Sequence, residues 1–433
     1  MLELKERDGL ARICELKTRH GKVTTPALLP VVNPNQLTIT PREMRERFRV
    51  EMLITNAYII KTDAALCERA RGGGLHRLLD FDGPVMTDSG TFQSYVYGKV
   101  GVGHREIVEF QRDIGSDIGT ILDVFSEPEW TEEQTRAAAE ETLRRAEESV
   151  PLKGDMLLAG TVQGGVFPEM RRECAERLSA MAFDLHPIGG VVPLLEDYRF
   201  ADVAEVIVAS KRGLDPSRPV HLFGAGHPMV FPFAVLLGCD LFDSASYAKY
   251  AREERFMYPT GTKFLRDMHD LACDCPACSS TSVKELTSAS PKDRTKTIAE
   301  HNLFASLREL RKVRNAIHDG SIWEMVEMRA RAHPSLLAVL KTLKRHGEFL
   351  EGYEPASRRG AFFYCGPESY DRPSVTRYRE RFFTRFRRPG ARVLVGFEDG
   401  PKPYSRGYAS EIARVSAKVD ADFLVASFFG PAP

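Results

Sequence analysis

The fold is decided by a pattern that the stretch LLAGTVQGGVFPEMRRECAERLSAMAFDLHPIGGVVP (157–193) shows in full. An apolar, β-rich run at 157–162 passes through the polar, glycine-rich step Gln163-Gly164-Gly165 into a helical pattern at 168–182. A second β-rich run follows at 188–191. A strand, a helix and a further strand in succession predict parallel pairing of the two strands.

The same unit recurs on both sides of this stretch, and eight such units close a (β/α)8, or TIM, barrel. The β-rich runs lie at 28–31, 52–55, 85–87, 118–122, 157–162, 188–191, 220–223 and 240–242. Helical patterns lie between them at 105–114, 131–149, 168–182, 199–212 and 229–237. Thr131 is placed as an N-cap, because Gln134 occupies the third helical position of a capping box.

Unusual residues, most of them polar or glycine, follow six of the predicted strands. They are Asp88-Ser89-Gly90, Asp123, Gln163-Gly164-Gly165, Val192-Pro193, Gly224-Ala225-Gly226 and Asp243. Any one of them is explained by a turn or a helix cap. A barrel gathers the carboxyl ends of its strands at one rim, where catalytic groups lie, so six in register predict a site there.

Composition and charge exclude several classes of protein. The chain has 433 residues, of which 43% are hydrophobic and 28% charged, which is not the composition of a disordered chain. It has no apolar run of about 18 residues, so we expect no membrane span. The start MLELKERDG does not resemble a signal peptide, and we expect a cytoplasmic protein. Because 60 Lys and Arg balance 60 Asp and Glu, contact with nucleic acid would require a local basic patch.

Three cysteines are crowded into six positions, which favours a metal over disulfides in a reducing compartment. Three thiolates and one imidazole form the ligand set of a closed, structural zinc site. We predict one structural Zn²⁺ per chain, held by Cys273, Cys275, Cys278 and His301. His269 and His318 lie close enough in sequence to be alternatives for the fourth ligand.

A second, smaller domain is predicted after the barrel. Charged helical patterns at 293–331 and 334–345 lead to a linker near 351–360. The tail then predicts a small βαβαβ unit, with strands at 361–365, 391–397 and 421–427 and helices at 376–388 and 408–418. We therefore expect a barrel catalytic domain at 1–350, with a zinc-binding subdomain at about 260–310, and a C-terminal α/β domain at 351–433.

The chain resembles the tRNA-guanine transglycosylases, and most closely their archaeal branch. The motifs that carry the resemblance are MTDSGTFQ (86–93), VQGG (162–165), GAGHP (224–228), FDSASYAKYARE (242–253) and CDCPAC (273–278) with His301. The tail, with FYCGPESYDRPSVTRYRERF (363–382) and KPYS (402–405), is similar to the segment that follows the catalytic domain in the archaeal enzymes. The resemblance implies exchange of a guanine in the D-loop of tRNA for 7-cyano-7-deazaguanine, the first tRNA step toward archaeosine.

The resemblance also assigns roles to the residues at the strand ends. Breaking an N-glycosidic bond develops positive charge at the sugar C1′, which a carboxylate can trap covalently while a second carboxyl group protonates the leaving base. By resemblance, Asp243 is the nucleophile and Asp88 the general acid and base. The implied substrate-binding residues are Phe92, which stacks on the base, Asp123 and Gln163, which bind its edge, and Ser89, Gly190 and Val191.

The resemblance implies tRNA, guanine, 7-cyano-7-deazaguanine and a second copy of the chain as partners. Long archaeal enzymes also carry a C-terminal PUA domain that grips tRNA, whereas this sequence ends at Pro433. We therefore expect either a separate PUA-domain protein or tRNA binding without one. Candidate phosphate contacts are Lys249, Arg252, Arg255, Lys292, Arg294 and Lys296.

Two other functions remain open at the level of sequence. A related class of enzymes inserts the deazapurine into DNA, and the archaeal-type tail disfavours that class here. A non-catalytic tRNA-binding partner subunit is disfavoured because both Asp88 and Asp243 are present. A zinc hydrolase fits less well, because three cysteines and a histidine leave no open coordination position.

Overall fold

The computed structural model describes residues 2–91, 101–358, 362–386 and 393–432. They form two compact units, one of Met1–Leu343 with Pro355–Phe362 and one of Lys344–Glu354 with Phe363–Pro433. The division of the chain into functional domains at 350 stays a prediction. No helix in the described ranges combines the length and apolarity that crossing a membrane requires.

An antiparallel sheet precedes the barrel in the chain. Its strands are β1 (Leu2–Asp8), β2 (Ala11–Thr18) and β3 (Gly21–Thr25), in the order β1-β2-β3. β1 is rich in charged residues and mostly exposed, with the sequence LELKERD, so the apolar runs used to identify strands do not reveal it. No strand was predicted before residue 28.

The predicted barrel is confirmed. Its eight strands are parallel, and they are β4 (Ala27–Val32), β5 (Leu53–Asn56), β6 (Val85–Asp88), β7 (Ile118–Thr120), β8 (Leu157–Ala159), β9 (His186–Ile188), β10 (Val220–Leu222) and β11 (Leu241–Ser244). Each strand lies beside its neighbour in sequence, and β11 returns to pair with β4. The core contains inward-facing apolar side chains such as Leu29, Ile54, Met86 and Ile118, each at most 2% exposed.

A seam between β8 and β9 closes the barrel. Ala159 and Leu185 form one parallel bridge there, and Val162 and Ile188 form another. The Val162 amide donates to the Pro187 carbonyl at 2.8 Å, and the Gly189 amide donates back to the Val162 carbonyl at 3.1 Å. These bonds complete the ring of strands.

Helices alternate with the strands, as predicted. Among the described residues, the helices up to the end of the barrel are α1 (Pro41–Glu46), α2 (Ala57–Thr62), α3 (Ala64–Gly73), α4 (Leu75–Leu79), α5 (His104–Asp113), α6 (Glu132–Ser149), α7 (Pro168–Ser179), α8 (Val192–Glu196), α9 (Phe200–Gly213), α10 (Phe231–Leu236) and α11 (Ser246–Arg252). The capping box at the start of α6 is present: the Thr131 side chain accepts from the Gln134 amide, and the Gln134 side chain accepts from the Thr131 amide. The start of this helix was therefore readable from two residues.

A hairpin and a set of helices follow the barrel. The strands are β12 (Arg255–Tyr258) and β13 (Gly261–Phe264), and the helices are α12 (Pro276–Ser279), α13 (Val283–Ser288), α14 (Pro291–Asp319), α15 (Ile322–Ala330) and α16 (Pro334–Arg345). The continuous helix predicted at 293–331 is wrong. Gly320 adopts a left-handed conformation, with φ 68°, and its amide closes the end of α14, so the chain starts a second helix there.

The second unit is a small sheet with helices. It contains α17 (Gly347–Glu351), α18 (Pro373–Arg385), β14 (Val393–Phe397), α19 (Tyr404–Gly407), α20 (Ala409–Ser416), β15 (Ala421–Ser427) and β16 (Gly430–Ala432). β15 pairs in parallel with β14 and antiparallel with β16. The predicted βαβαβ unit is thus wrong in its first strand. The described part of 361–365 is not a strand, because the Cys365 amide bonds to the Ser369 hydroxyl and the Phe363 carbonyl accepts from Arg372.

Candidate active site at the carboxyl end of the barrel

A cavity of about 490 Å³ lies where the barrel strands end. The predicted site residues Asp88, Asp123, Gln163, Gly190 and Asp243 all line it. They belong to different strand–helix units, so the barrel brings together side chains that are far apart in sequence. The cavity therefore combines a few converging polar side chains with the position of an enzyme site.

Asp88 is the last residue of β6. Its Oδ2 accepts a hydrogen bond from Asn56 Nδ2 at 2.6 Å and a longer one from the Gly90 amide at 3.3 Å. Burial raises the pKa of Asp88 to about 7, and the negative charges of Asp123 and Asp243 add to the shift. A carboxyl group with this pKa can both release and accept a proton near neutral pH.

Asp243 lies in β11, the last barrel strand in the sequence. His221 Nε2 donates to its Oδ1 at 2.9 Å, and the Gly224 amide donates to the same oxygen, also at 2.9 Å. Both of the hydrogen bonds that this side chain accepts from the described chain thus go to one oxygen. Oδ2 is left free to react with a bound molecule.

Asp123 and Gln163 form a buried pair. Asp123 accepts from the Thr91 hydroxyl at 2.7 Å and from Gln163 Nε2 at 2.5 Å. Burial raises the pKa of Asp123 against the opposing effect of these two donors. Gln163 Oε1 is buried and has no hydrogen-bond partner in the described ranges, so it offers an acceptor inside the site.

Gly189 and Gly190 lie directly against Gln163. A Cβ at position 189 would come within 2.5 Å of Gln163 Nε2, and one at 190 would come within 3.1 Å of Gln163 Oε1. Gly190 also has φ +71°, which favours glycine. The buried Arg171 holds this region by donating to the carbonyls of Val162 and Gly189 at 2.9 and 2.8 Å. Backbone can therefore approach a ligand closely at this edge of the cavity.

The other three predicted substrate-binding residues are Ser89, Val191 and Phe92. Ser89 is buried outside the cavity lining, and its hydroxyl donates to the Ile121 carbonyl at 2.8 Å. Val191 is fully buried and also lies outside the lining. Phe92 lies outside the described residues.

Asn56 and His221 were not in the predicted site. Asn56 ends β5, so the strand-end rule that identified Asp88 could have found it. His221 lies inside β10, and nothing in the sequence links it to Asp243, its hydrogen-bond partner 22 positions later.

The basic candidates for phosphate contact divide by position. Lys249 and Arg252 line the cavity, and Lys249 forms an ion pair with Glu196 at 2.7 Å. Arg294 is paired with Glu254 at 2.9 Å and Lys296 with Glu43 at 2.7 Å. Of these four basic residues, only Lys249 and Arg252 therefore line the cavity.

A separate cluster of metal-ligand residues lies beyond the barrel strands. The ligand atoms of Cys273, Cys275, Cys278 and His301 all lie within 4.8 Å of one another, so the cluster could hold a metal ion. His301 Nε2 is 3.1 Å from the Met257 carbonyl and Nδ1 is 3.2 Å from Cys278 Sγ. A hydrogen bond from Nε2–H to the carbonyl leaves Nδ1 unprotonated, as a metal ligand requires.

The two alternatives for the fourth ligand lie outside this cluster. His269 is almost fully exposed and pairs with Asp270 at 2.7 Å. His318 pairs with Glu6, also at 2.7 Å. The structure therefore groups His301, and neither of these two, with the cysteines.

Comparison with known proteins gives consistent matches. Residues 7–335 match the family described as queuine tRNA-ribosyltransferase. The chain is 48% identical over 379 residues to the tRNA-guanine(15) transglycosylase of Pyrococcus furiosus, covering 88% of this chain and 64% of that protein. It is 47% identical over 417 residues to the protein of the same name in Methanothermobacter thermautotrophicus, covering 96% and 63%. The Methanosarcina acetivorans protein is 46% identical over 410 residues, covering 94% and 82%. The chain thus spans a little under two thirds of the length of the first two relatives.

Proposed function

This chain belongs to the queuine tRNA-ribosyltransferase family, and from that premise we propose that it exchanges a guanine base of tRNA for a free base. The observation that carries the proposal is the pair of carboxylates on one cavity, Asp243 with an oxygen free to react and Asp88 with a pKa of about 7. An exchange at a glycosidic carbon needs a nucleophile and a group that can give and take a proton.

We propose a guanine in the D-loop as the site of exchange and 7-cyano-7-deazaguanine as the incoming base. Support for the position comes from the archaeal relatives, which are named tRNA-guanine(15) transglycosylases. Support for the base comes from the cavity, where Asp123 and Gln163 offer buried hydrogen-bonding groups of the kind that bind the edge of a purine, and where Gly190 presents no side chain.

The proposed first step is attack by Asp243 Oδ2 on C1′ of the ribose. The bond from Oδ2 to C1′ forms while the bond from C1′ to N9 breaks, and the electron pair of the broken bond leaves with guanine. The protonated Asp88 carboxyl group supplies a proton to the departing base. This step leaves a covalent ester between the protein and tRNA.

The proposed second step reverses these movements with the new base. Asp88, now ionised, removes the proton from the incoming base, whose N9 forms a bond to C1′. The bond from C1′ to Oδ2 breaks, and its electron pair returns to the Asp243 carboxylate. One carboxyl group thus serves as acid and then as base, which suits a pKa near 7.

The experiment is incubation with radiolabelled guanine and either a tRNA transcript or duplex DNA. We expect label to enter tRNA and not DNA. We expect no label in a tRNA transcript whose D-loop guanine is replaced by adenine. Asp243→Asn is the matched control, because the amide keeps the shape and loses the nucleophile. We expect it to lower exchange roughly 10³-fold or more and to abolish an adduct that survives denaturation. Label in DNA alone would identify the DNA-modifying class, and binding of tRNA without exchange would identify a non-catalytic subunit.

We also propose that the cysteine cluster holds one zinc ion. Cys273, Cys275, Cys278 and His301 fit it in number and type, and the His301 tautomer leaves Nδ1 available. Bound zinc would supply a cross-link between the cysteine loop and α14, with its four positions taken by protein. The exchange steps above therefore use none of its chemistry.

The zinc assignment is tested by metal analysis and thermal unfolding. We expect one zinc per chain in the wild type and a loss of zinc and thermal stability in Cys278→Ser, with activity falling in proportion to folded protein. The control is Cys67→Ser, because Cys67 lies outside the cluster. A stable Cys278→Ser variant with full zinc content would remove this residue from the site.

A further inference from the structure

We propose that His221 is a positioning residue, which holds the Asp243 carboxylate so that Oδ2 faces the reacting sugar carbon. This inference rests on the proposed function. It concerns a side chain that lies inside a barrel strand, that is fully buried, and that the sequence motifs leave without a role.

The first observation is that one oxygen of Asp243 receives both of the donors. His221 Nε2 and the Gly224 amide each lie 2.9 Å from Oδ1. Two donors on one oxygen fix the plane of the carboxylate as well as its distance from the strand. They come from β10 and from the turn that follows it, so the backbone of one short segment sets their spacing.

The second observation fixes the tautomer of His221. Its Nδ1 is buried and has no hydrogen-bond partner in the described parts of the chain. A proton on Nδ1 would therefore be buried without an acceptor, which costs free energy, whereas a proton on Nε2 is accepted by Asp243. The ring thus donates through Nε2 to the Asp243 carboxylate.

The third observation is that the ring itself is held. The edge of His221 packs against Phe223, with ring centroids 4.7 Å apart and planes at 71°. A ring packed in this way keeps its donor aimed at Oδ1 without a polar partner on the other nitrogen. His221 therefore orients the nucleophile and does not itself touch the tRNA.

This arrangement acts differently on the two steps of the exchange. When Oδ2 attacks, the donors on Oδ1 orient the carboxylate but also stabilise its charge. When the ester breaks, the electron pair returns to the carboxylate, and the same donors stabilise the charge that reappears. Removal of the histidine donor should therefore slow breakdown of the ester more than its formation.

The test compares two substitutions at His221. Leu removes the donor at similar volume, whereas the side-chain amide of Gln places an N–H near the position of Nε2. We expect His221→Leu to lower kcat for exchange roughly 10- to 100-fold and to raise the fraction of enzyme held as adduct at steady state, with KM for tRNA falling alongside kcat because the adduct accumulates. We expect His221→Gln to restore most of kcat.

His186→Leu is the matched control, because His186 is also fully buried and lies on the neighbouring strand β9. Its ring bonds to the Gly160 carbonyl and not to a carboxylate at the rim. We expect a lower melting temperature and a kcat within about twofold of the wild type. The proposal is overturned if His221→Leu exchanges at the wild-type rate, if Gln is as slow as Leu, or if His186→Leu loses kcat equally.

A spectroscopic readout separates this proposal from the proposed function. In protein labelled with ¹⁵N-histidine, we expect a slowly exchanging proton on His221 Nε2 whose resonance shifts in Asp243→Asn. A proton found on Nδ1 overturns the assignment whatever the activity. A wild-type chain that shows this resonance but exchanges no base overturns the proposed function, and with it the role of His221 in the exchange, while leaving the hydrogen bond established.

Discussion

At the amino end of the barrel, Asp117, Asp184 and Asp240 each lie just before a strand and accept the first or second amide of the preceding strand in the sheet. The donors are Val85, Leu158 and Val220, at 2.8–2.9 Å. At the carboxyl end, Asp88, Asp123 and Asp243 lie close to strand ends and line one cavity. The same residue type thus joins neighbouring strands at one end and forms the candidate site at the other.

The difference lies in how many donors each carboxylate receives. Burial alone would raise the pKa of Asp117, but hydrogen bonds from His76, the Val85 amide and His20 outweigh it and lower the pKa to about 2. Burial also acts on Asp88, but its donors are Asn56 and the more distant Gly90 amide and it lies beside two carboxylates, so its pKa rises to about 7. A buried carboxylate that accepts several hydrogen bonds stabilises the fold. A buried carboxylate with fewer donors can exchange a proton near neutral pH, but its ionised form lowers the stability of the fold.

Among the changes that test this comparison, the largest effect is expected for Asp88→Asn, which should lower exchange roughly 100-fold and remove an ionisation near pH 7 from the rate profile. Because the folded pKa is raised, folding of the wild type should weaken as pH rises from about 4 to 7, and the penalty should persist above that. The variant lacks this penalty, so we expect its free energy of unfolding at pH 8 to exceed that of the wild type by about 1–4 kcal/mol. Urea unfolding between pH 4 and 8 checks the sign, and a variant less stable at pH 8 would contradict the account.

The opposite sign is expected for Asp117→Asn, which should lower the free energy of unfolding at pH 7 by about 2–3 kcal/mol. Here the folded pKa is depressed, so the stabilisation is complete above the unfolded pKa near 4 and is lost as pH falls toward 2. The gap between variant and wild type should therefore narrow in acid. Base exchange by the folded protein should be unchanged. A loss of kcat without a loss of stability would show that the carboxylates at the amino end also act in the exchange reaction.

The smallest effect is expected for Arg12→Lys at the same amino end. Arg12 binds both oxygens of Asp240, with Nε at 2.7 Å and Nη2 at 2.8 Å, and so ties β2 to the start of β11. Lysine keeps the charge but loses the paired geometry, and we expect a loss of about 1 kcal/mol in unfolding free energy with normal exchange. Thermal unfolding measures this, and an unchanged melting temperature would mean that charge alone holds Asp240.

The sequence predicted the barrel because strand and helix periods alternate clearly from residue 28 onward, and it predicted the rim residues because parallel strands end on one side. The amino-end carboxylates were missed because an aspartate before a strand looks like an ordinary turn residue, and its amide partner belongs to another unit. The strand predicted at 361–365 was wrong for a related reason. Aromatic residues there favour β structure, but a strand also needs a neighbour, and side chains of Ser369 and Arg372 take the backbone bonds instead.

The hydrogen bond between Asp243 and His221 could not be predicted from the sequence. Asp243 could be named from its motif, whereas its hydrogen-bond geometry depends on the register between β10 and β11, in which His221 pairs with Leu241. Register is a property of the closed barrel and is not encoded in either strand alone.

The seam between β8 and β9 has a consequence for motion. Arg171 bonds to carbonyls on both of its sides, at Val162 and Gly189, so neither side can open without breaking bonds to the same guanidinium. The amides of Val162 and Gly189 should therefore show one shared protection factor in exchange with solvent deuterium, as a single opening unit. Gln163 follows Val162 directly, so a base held in the cavity should slow both amides by the same factor. The edge of the cavity at Gln163 and the seam between β8 and β9 then open together, as one cooperative unit on the timescale of hydrogen exchange.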